Sequence, residues 1–376
     1  MQRRSFLKNS LILAIGANLA MSESKFGLNL LNANEIKKGK IMKTRKLGNI
    51  EVSPIGIGCM GFSHGYGQIP SEDYSIEAIR TAFEFGCSFF DTAEIYGAQL
   101  YHYGHNEQIV GKAVKKFRKS VVLATKLMFN KSDITAQGSA YAVIKKHLEK
   151  SLENLQTDYV DLYYLHRINP EIPVEITAEA MGKLIDEKLI RGWGLSQVAK
   201  NTIQKAHEIT PVSAVQNIYS MAERDCESEV LPYCLANNIG LVAFSPIASG
   251  LLSGKLNAKS DFSHSDDVRK FIPQLSKENI DKNAPLVDLV SKFAKRKNAT
   301  PAQIALAWML HKYPNVVPIP GSKNKERILE NLGAWSVELS ETEFSELQST
   351  LDKIEIHGHR GIEEFQGGGM RNWGKK

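Results

Sequence analysis

Cysteine is scarce in this chain, which has four among 376 residues. They are Cys59, Cys87, Cys226 and Cys234. None stands at C-x-x-C or zinc-site spacing, so the sequence predicts isolated reduced thiols and excludes a scaffold held by disulfides. The histidine-containing stretches 102-HYGH-105 and 357-HGH-359 have no carboxylate or cysteine partner at metal-site spacing. We therefore expect no metal centre.

The chain also lacks an excess of positive charge outside its N-terminus. Residues 1–43 carry eight basic and two acidic side chains, which accounts for the whole formal net charge of +6. Beyond residue 43 the two signs are equal in number. A neutral body offers no basic surface for phosphates, so we expect no nucleic-acid partner.

No apolar run near the N-terminus is long enough to span a bilayer, since 11-LILAIGANLA-20 is only half the usual length. With Arg3 and Arg4 before it, the run has the shape of a secretory signal, and R-R-S-F-L-K resembles the twin-arginine (Tat) export signal. We predict a Tat-like signal and linker over residues 1–41, export by the Tat machinery to the periplasm and no stable membrane anchor. The alternative is a chance arginine pair on an extension of a cytoplasmic protein.

After residue 42 the sequence repeats a simple pattern, in which short apolar runs alternate with amphipathic helical stretches. The strand-like runs are 52–58, 88–92, 121–126, 160–166, 191–196, 213–217, 240–245 and 315–320. Because these strands are continuously apolar, we expect both faces to be buried in a parallel sheet. Eight strand–helix pairs predict one (β/α)8 TIM barrel over residues 42–352.

Two segments interrupt the repeat. Residues 246–299 form a long loop after the seventh strand, with an extra helix near 283–296. Loops of this length in a compact domain are usually functional or disordered. The tail, 353–376, is glycine-rich and irregular, and it either covers a barrel mouth or is disordered.

The stretch 56-GIGCMG-61 matches the dinucleotide fingerprint G-x-G-x-x-G. In that fingerprint the glycines lead directly into a helix. Here Gly61 stands ten residues before Ser71, the expected helix N-cap, and Pro70 intervenes. We therefore interpret the match as accidental and the segment as a loop at the barrel mouth.

Polar side chains stand at or just after the ends of three successive strands. They are Asp91, Tyr96, Lys126 and His166. Catalytic residues of such barrels lie at the C-terminal ends of the strands. A lysine ammonium favours the phenolate of a nearby tyrosine and so lowers its pKa, and an aspartate would hold that lysine charged. Each residue alone has a structural explanation, but together they could protonate a developing alkoxide.

Three motifs carry a family resemblance. They are 90-FDTAEIYG-97, 123-LATK-126 and 162-LYYLHR-167. They resemble the aldo-keto reductases, in particular the longer-chain bacterial and plant group, and the similarity runs from about residue 43 to residue 351. The resemblance implies that Tyr96 is the proton donor, that Lys126 and Asp91 tune its pKa and that His166 orients the substrate carbonyl.

The resemblance also implies an NADP(H) site. Its residues would be Ser196, Gln197 and Gln216 on the nicotinamide amide; Tyr219 near its ring; Ser245, Pro246, Gly250 and Lys255 over the pyrophosphate; Ser322, Lys323 and Arg327 on the 2′-phosphate; and Glu330 and Asn331 on the adenine. Lys323 and Arg327 lie one turn apart at the start of the last barrel helix, and an arginine fork, a lysine and helix N-terminal amides together suit the extra negative charge of a 2′-phosphate. This predicts NADPH over NADH, unless both side chains are simply solvated.

The sequence predicts an NADPH-dependent reductase of aldehydes or ketones but does not identify the substrate. Candidates for the pocket are Met60, Phe62, Phe129, Arg167 and the tail. One alternative is an NADPH-binding redox sensor with slow turnover, as in channel-associated relatives. Another is a lyase that forms a Schiff base on Lys126.

Overall fold

The computed structural model describes residues 44–361. The predicted leader, 1–41, and residues 362–376 of the predicted tail lie outside that range. The described chain opens with a hairpin of two antiparallel strands, β1 (Arg45–Leu47) and β2 (Ile50–Val52). Leu47 packs closely on Gly240 at the start of a barrel strand, so the hairpin covers the N-terminal end of the barrel.

Eight parallel strands follow and form one sheet in sequence order. They are β3 (Ile57–Gly58), β4 (Phe89–Asp91), β5 (Val122–Leu127), β6 (Val160–Leu165), β7 (Ile190–Ser196), β8 (Ala214–Ile218), β9 (Gly240–Phe244) and β10 (Val316–Pro318). The ends of the sheet meet where the Gly56 N–H donates to the Pro318 carbonyl at 2.9 Å. The predicted (β/α)8 barrel is confirmed.

Twelve α-helices lie in the described range. They are α1 (Glu72–Glu84), α2 (His105–Val114), α3 (Lys131–Gln137), α4 (Ala140–Leu155), α5 (Val174–Asp186), α6 (Lys200–Ile209), α7 (Val230–Ala236), α8 (Lys277–Lys282), α9 (Ala284–Lys297), α10 (Pro301–Lys312), α11 (Lys325–Leu332) and α12 (Glu341–Leu351). Side-chain N-caps mark many starts, as at Ser71, where the hydroxyl accepts from the Tyr74 N–H. Sequence analysis missed α3, α8 and α12.

Two hydrophobic cores organise the barrel. The larger lies between strands and helices, and the smaller fills the barrel interior with side chains such as Phe89, Tyr164 and Val242. Gly194 makes this packing possible, because a Cβ there would lie 2.4 Å from the Ala214 carbonyl oxygen and 2.5 Å from the Tyr164 ring. The filled interior leaves polar chemistry to the mouth at the strand ends.

The glycine-rich stretch 56–61 does not open a helix. It runs through β3 into a short 3-10 turn, Met60–Phe62, and α1 begins only at Glu72 after the cap Ser71. The interpretation of its G-x-G-x-x-G pattern as accidental is therefore confirmed.

The long insertion after β9 and the start of the tail are ordered against each other. The insertion contains 3-10 turns followed by α8 and α9. Buried Asn283 at the start of α9 donates to the His357 carbonyl and accepts from the His357 N–H, both at 2.9 Å. The Gln274 N–H donates to the His359 carbonyl at 3.3 Å. These bonds hold residues 357–360 against the insertion.

Within residues 44–361, no helix has both the length and the apolar character that a membrane crossing requires. The same range holds no group of three or more histidine, cysteine or acidic side chains placed to bind a metal ion.

Candidate active site

Lys126 is the centre of the candidate site. It lies on β5 beside Asp91, the last residue of β4, because these parallel strands are neighbours in the sheet. Its ammonium pairs with the Asp91 carboxylate and donates to the Thr92 carbonyl at 2.8 Å and the Tyr96 hydroxyl at 3.3 Å. The side chains of Lys126 and Asp91 are 0% and 2% exposed. The ammonium is therefore fixed by three oxygen atoms.

Gln216 completes the support of this ion pair. It lies on β8 across the barrel interior, and its amide nitrogen donates to Asp91 Oδ2 at 2.8 Å. The Asp91 carboxylate thus accepts one bond from Lys126 and one from Gln216. Although sequence analysis assigned Gln216 to the nicotinamide amide, the structure uses its side-chain NH2 group to position Asp91.

The electrostatics of the site follow from burial. Burial lowers the pKa of Lys126, but Asp91 and Tyr96 outweigh it, so the net pKa is raised and the ammonium is retained. Burial and the Asp91 charge raise the pKa of Tyr96, and the opposing charges of Lys126 and Arg167 do not outweigh them, so the net pKa is raised rather than lowered as the sequence predicted. Tyr96 is therefore protonated at neutral pH, with cations placed to stabilise its phenolate once the proton leaves.

His166 follows β6 and stands edge-on to Tyr96, with 5.7 Å between the ring centroids. It is 8% exposed, and its Nδ1 has no hydrogen-bond partner among the described residues. Burial, with Arg167 and Lys126 nearby, holds the pKa of His166 well below its usual value. The imidazole is therefore neutral and can share a hydrogen bond with a carbonyl oxygen at the Tyr96 hydroxyl.

This arrangement does not favour the Schiff-base alternative. A lysine that attacks a carbonyl must be a free amine at neutral pH, which requires a lowered pKa. Lys126 is fully buried, donates to three oxygen atoms and has a raised pKa. Its geometry is that of a fixed cation.

A groove lies along the loops after β9 and β10, at the same end of the barrel as this centre. All nine of the residues predicted for the pyrophosphate, 2′-phosphate and adenine line it together: Ser245, Pro246, Gly250, Lys255, Ser322, Lys323, Arg327, Glu330 and Asn331. Sequence analysis missed Tyr66 and Arg269, which also line it. Arg269 pairs with Asp267 at 2.6 Å.

The loop after β9 has a backbone suited to anions. Ser245, Ala248 and Ser249 adopt positive φ angles of 52°, 48° and 53°, and Gly250 has a φ of 104°. Left-handed conformations at non-glycine residues are costly and concentrate at functional sites. Turns of this kind often bind phosphate oxygens through backbone N–H groups. In this loop the Ala248 and Gly250 N–H groups donate to the Ser245 and Ile247 carbonyls at 2.9 and 3.0 Å.

The far end of the groove is basic. Lys255 lies 3.6 Å from Glu330, and Arg327 stands in the first turn of α11 after the Asn324 cap. The Lys323 ammonium instead donates to the Tyr66 carbonyl at 2.8 Å and to the Gln68 carbonyl. In this structure Lys323 therefore joins the loop after β3 to the loop after β10.

Comparison with known proteins agrees with this geometry. The model of the aldo/keto reductase family matches residues 54–352. The chain belongs to the aldo/keto reductase family.

Individual members of this family are similar over most of the chain. A probable aldo-keto reductase of Glycine max is 37% identical over 329 residues, which cover 85% of this chain and 93% of that protein. An aldo-keto reductase of Schizosaccharomyces pombe, with NADP(+) in its name, is 38% identical over 84% of this chain and 94% of its own length.

Solved structures of the family have the same fold. A glycerol dehydrogenase of Gluconobacter oxydans has a TM-score of 0.74 at 25% identity, covering 84% of this chain and 97% of its own. An aldo/keto reductase of Klebsiella pneumoniae, solved with NADP and acetate, has a TM-score of 0.65 at 27% identity, covering 86% and 100%.

In this aldo/keto reductase, Ser196 and Gln197 lie at the end of β7 as expected. The Ser196 hydroxyl accepts from Arg167 Nη1 at 3.3 Å. Gln197 has a φ of 58°, and its Oε1 is buried without a hydrogen-bond partner among the described residues. A buried acceptor of this kind is rare in folded proteins and fits a ligand amide.

The prediction that Tyr219 lies near the nicotinamide ring is corrected, because the structure places this side chain away from the barrel mouth. Alternation along β8 turns Gln216 inward and Tyr219 outward, where its hydroxyl donates to Glu227 at 2.6 Å beside Trp308. It is fully buried there. The aromatic side chain at the mouth is Phe244, two residues after inward-facing Val242 on β9 and packed on the interior core.

The predicted substrate pocket is only partly supported. Phe62 and Phe129 are 1% and 6% exposed and belong to the core between strands and helices, so they present little surface to a ligand. Met60 is partly exposed. Arg167 lies beside His166 and Ser196, so it reaches the catalytic group.

Proposed function

We propose that this protein is an NADPH-dependent reductase of aldehydes or ketones, with Tyr96 as the proton donor. The observation that carries the proposal is the 3.3 Å contact between Lys126 Nζ and Tyr96 Oη at the C-terminal ends of the barrel strands. A protonated phenol, a fixed cation and a neutral imidazole meet there, as protonation of an alkoxide requires.

The reaction balances with these groups. Bound NADPH would supply a hydride that forms a C–H bond at the carbonyl carbon. The carbonyl oxygen, held by His166 and Tyr96, takes the Tyr96 proton as it gains negative charge. Lys126 stabilises the resulting phenolate, and a solvent proton restores Tyr96. Oxidation of the alcohol is the same sequence in reverse.

The residues present fit NADP(H). The loop after β9 lines the groove with a left-handed backbone, and Arg327, which also lines it, is free of ion pairs within residues 44–361, as a phosphate-binding side chain should be. The relatives named with NADP support this choice. We expect NADPH to bind more tightly than NADH because Arg327 would meet the 2′-phosphate.

The test is NADPH oxidation by the purified full chain with 4-nitrobenzaldehyde, with NADH in parallel. We expect turnover with NADPH and little with NADH. Tyr96→Phe should reduce kcat by at least about 100-fold, since general acid catalysis contributes on that order, and leave the Kd of NADPH unchanged. Full activity of Tyr96→Phe would refute the assignment of the proton donor.

We also propose that residues 1–41 direct export to the periplasm by the Tat machinery. The support is the Arg3–Arg4 pair before a short apolar run. Cell fractionation of the wild type and of a variant with Arg3→Lys and Arg4→Lys tests it. The wild type should be periplasmic and the variant cytoplasmic, whereas the same cytoplasmic location for both would contradict export.

A further inference from the structure

Arg167 brings a positive charge near the Tyr96 hydroxyl, but neither of the hydrogen bonds described for its guanidinium goes to the proton donor. Its Nη1 donates to the His166 carbonyl at 2.5 Å and to the Ser196 hydroxyl at 3.3 Å. Both acceptors are neutral. Burial lowers the pKa of Arg167, and nearby Arg360 lowers it further. The guanidinium is thus desolvated, close to a second cation and still charged at neutral pH.

Arg360, from the start of the tail, is the second cation at this mouth. Its Nε donates to the Ser245 hydroxyl at 2.9 Å, just after β9. Its backbone N–H donates to Glu223 Oε2 at 2.9 Å. The Glu223 carboxylate thus fixes the main chain of Arg360, and the guanidinium of Arg360 donates to a neutral serine hydroxyl.

Hydrogen bonds to the residues just before Arg360 fix the position of the tail. Asn283 holds His357 through two hydrogen bonds, and Gln274 holds the His359 carbonyl. Gln274 is fully buried, and its side chain donates to the Ala222 carbonyl at 2.9 Å. These contacts place Arg360 over the strand ends.

Neither guanidinium has a carboxylate in ion-pair distance within residues 44–361. Five other arginines in that range do form such pairs: Arg118, Arg191, Arg224, Arg269 and Arg296. Arg45 and Arg80 have none but donate to backbone carbonyls, and Arg327 lies in the groove predicted for the cofactor. Two partly buried cations with no ion-pair partner repel each other; the Glu223 carboxylate at the Arg360 N–H offsets only part of this cost, and an anion between the guanidiniums would remove more of it. Arginine is also the side chain best shaped to bind a carboxylate through two hydrogen bonds.

We propose that Arg167 and Arg360 form an anion subsite beside Tyr96 that binds the carboxylate of the substrate, so that the preferred substrates are carbonyl compounds bearing a carboxylate. This inference rests on the proposed reductase function and adds its substrate class. The carboxylate would lie between the guanidiniums while the carbonyl oxygen lies at Tyr96 and His166. Two charged ends would fix the orientation of a small substrate.

Matched pairs of substrates test the subsite. The full chain with NADPH is assayed on 3- and 4-carboxybenzaldehyde and on the neutral isosteres 3- and 4-formylbenzamide. We expect kcat/KM for at least one acid to exceed that of its amide by about 10- to 100-fold, as charge-assisted hydrogen bonds allow. Arg167→Gln and Arg360→Gln should bring the ratio close to one, while Arg296→Gln, on exposed α9, should keep it.

A binding experiment distinguishes failure of the subsite proposal from failure of the reductase proposal. Calorimetric titration with benzoate and with benzamide needs no turnover. Only benzoate should bind to the wild type, and Arg167→Gln and Arg360→Gln should both lose this binding. Benzoate binding without reduction of any aldehyde would contradict the proposed reductase function and support the anion subsite. Equal rates on acid and amide without benzoate binding would overturn the subsite and leave the reductase.

The cofactor diphosphate is the other anion within reach, because Ser245 also lines the groove. If the guanidiniums bind that diphosphate, Arg167→Gln and Arg360→Gln will raise the Kd of NADPH and slow the acid and the amide equally. That result would overturn the substrate assignment. An unchanged Kd of NADPH with a collapsed acid-to-amide ratio is the expected result.

Discussion

Replacing Lys126 with methionine separates the structural role of the buried ion pair from its catalytic role. Methionine fills a similar volume but has no charge and no donor. The change leaves the 2% exposed Asp91 carboxylate with Gln216 as its remaining side-chain donor. It also removes the donor of the Thr92 carbonyl and the cation beside the Tyr96 hydroxyl.

The size of the effect follows from these losses. Breaking a buried ion pair by removing one partner costs about 3–5 kcal/mol in the free energy of unfolding. Loss of the cation that stabilises the Tyr96 phenolate should reduce kcat by about 10²- to 10⁴-fold, the usual contribution of general acid catalysis. The control is Lys150→Met, whose side chain is 63% exposed and which should change stability by less than about 0.5 kcal/mol.

The double variant Asp91→Asn with Lys126→Met distinguishes the two roles. With both charges gone, stability should return to within about 2 kcal/mol of the wild type, but kcat should stay low. Urea unfolding and NADPH oxidation measure the two quantities on the same preparations. Recovery of kcat in the double variant would refute Lys126 as the group that tunes Tyr96, and full stability of Lys126→Met would refute the buried ion pair.

Three other changes test separate parts of the account. Tyr219→Phe should lower the free energy of unfolding by about 1–2 kcal/mol, because its bond to Glu227 is lost, without changing the Kd of NADPH; a raised Kd would return Tyr219 to the cofactor site. Arg327→Gln should weaken NADPH binding at least about 10-fold and leave NADH binding unchanged; equal weakening would contradict a 2′-phosphate contact. Because the pKa of His166 is low only in the folded state, the free energy of unfolding should fall as pH drops below about 6.5. In His166→Gln the loss of stability between pH 7.5 and 5.5, measured by urea unfolding, should be smaller by about 1 kcal/mol. An unchanged loss would contradict a neutral buried imidazole.

Most of the fold could be predicted because the barrel repeats one local pattern. Each buried strand is a continuous apolar run, and caps such as Ser71 mark helix starts. The hairpin β1–β2 was missed because residues 52–58 look like a single strand. Pro54 interrupts them, and the hairpin is stabilised by packing on distant Gly240 at the start of β9, which no local pattern records.

The candidate site could be predicted where the chemistry lies at strand ends. Asp91, Tyr96 and Lys126 were found this way and meet as expected. Tyr219 was assigned by motif rather than by the two-residue alternation of β8, which turns it outward. The Arg360 contact with Ser245, 115 residues away along the chain, could not be foreseen, because it depends on how the tail packs on the insertion.

The most direct test of the central claim is the fate of the hydride. The full chain is incubated with NADPH carrying two deuterium atoms at C4 of the nicotinamide and with 4-nitrobenzaldehyde, and the alcohol is examined by NMR. Direct transfer predicts one deuterium at the carbinol carbon, and in Tyr96→Phe the label should form far more slowly although NADPH still binds. An alcohol whose new carbinol hydrogen comes from solvent, or unchanged label formation in Tyr96→Phe, would contradict the account.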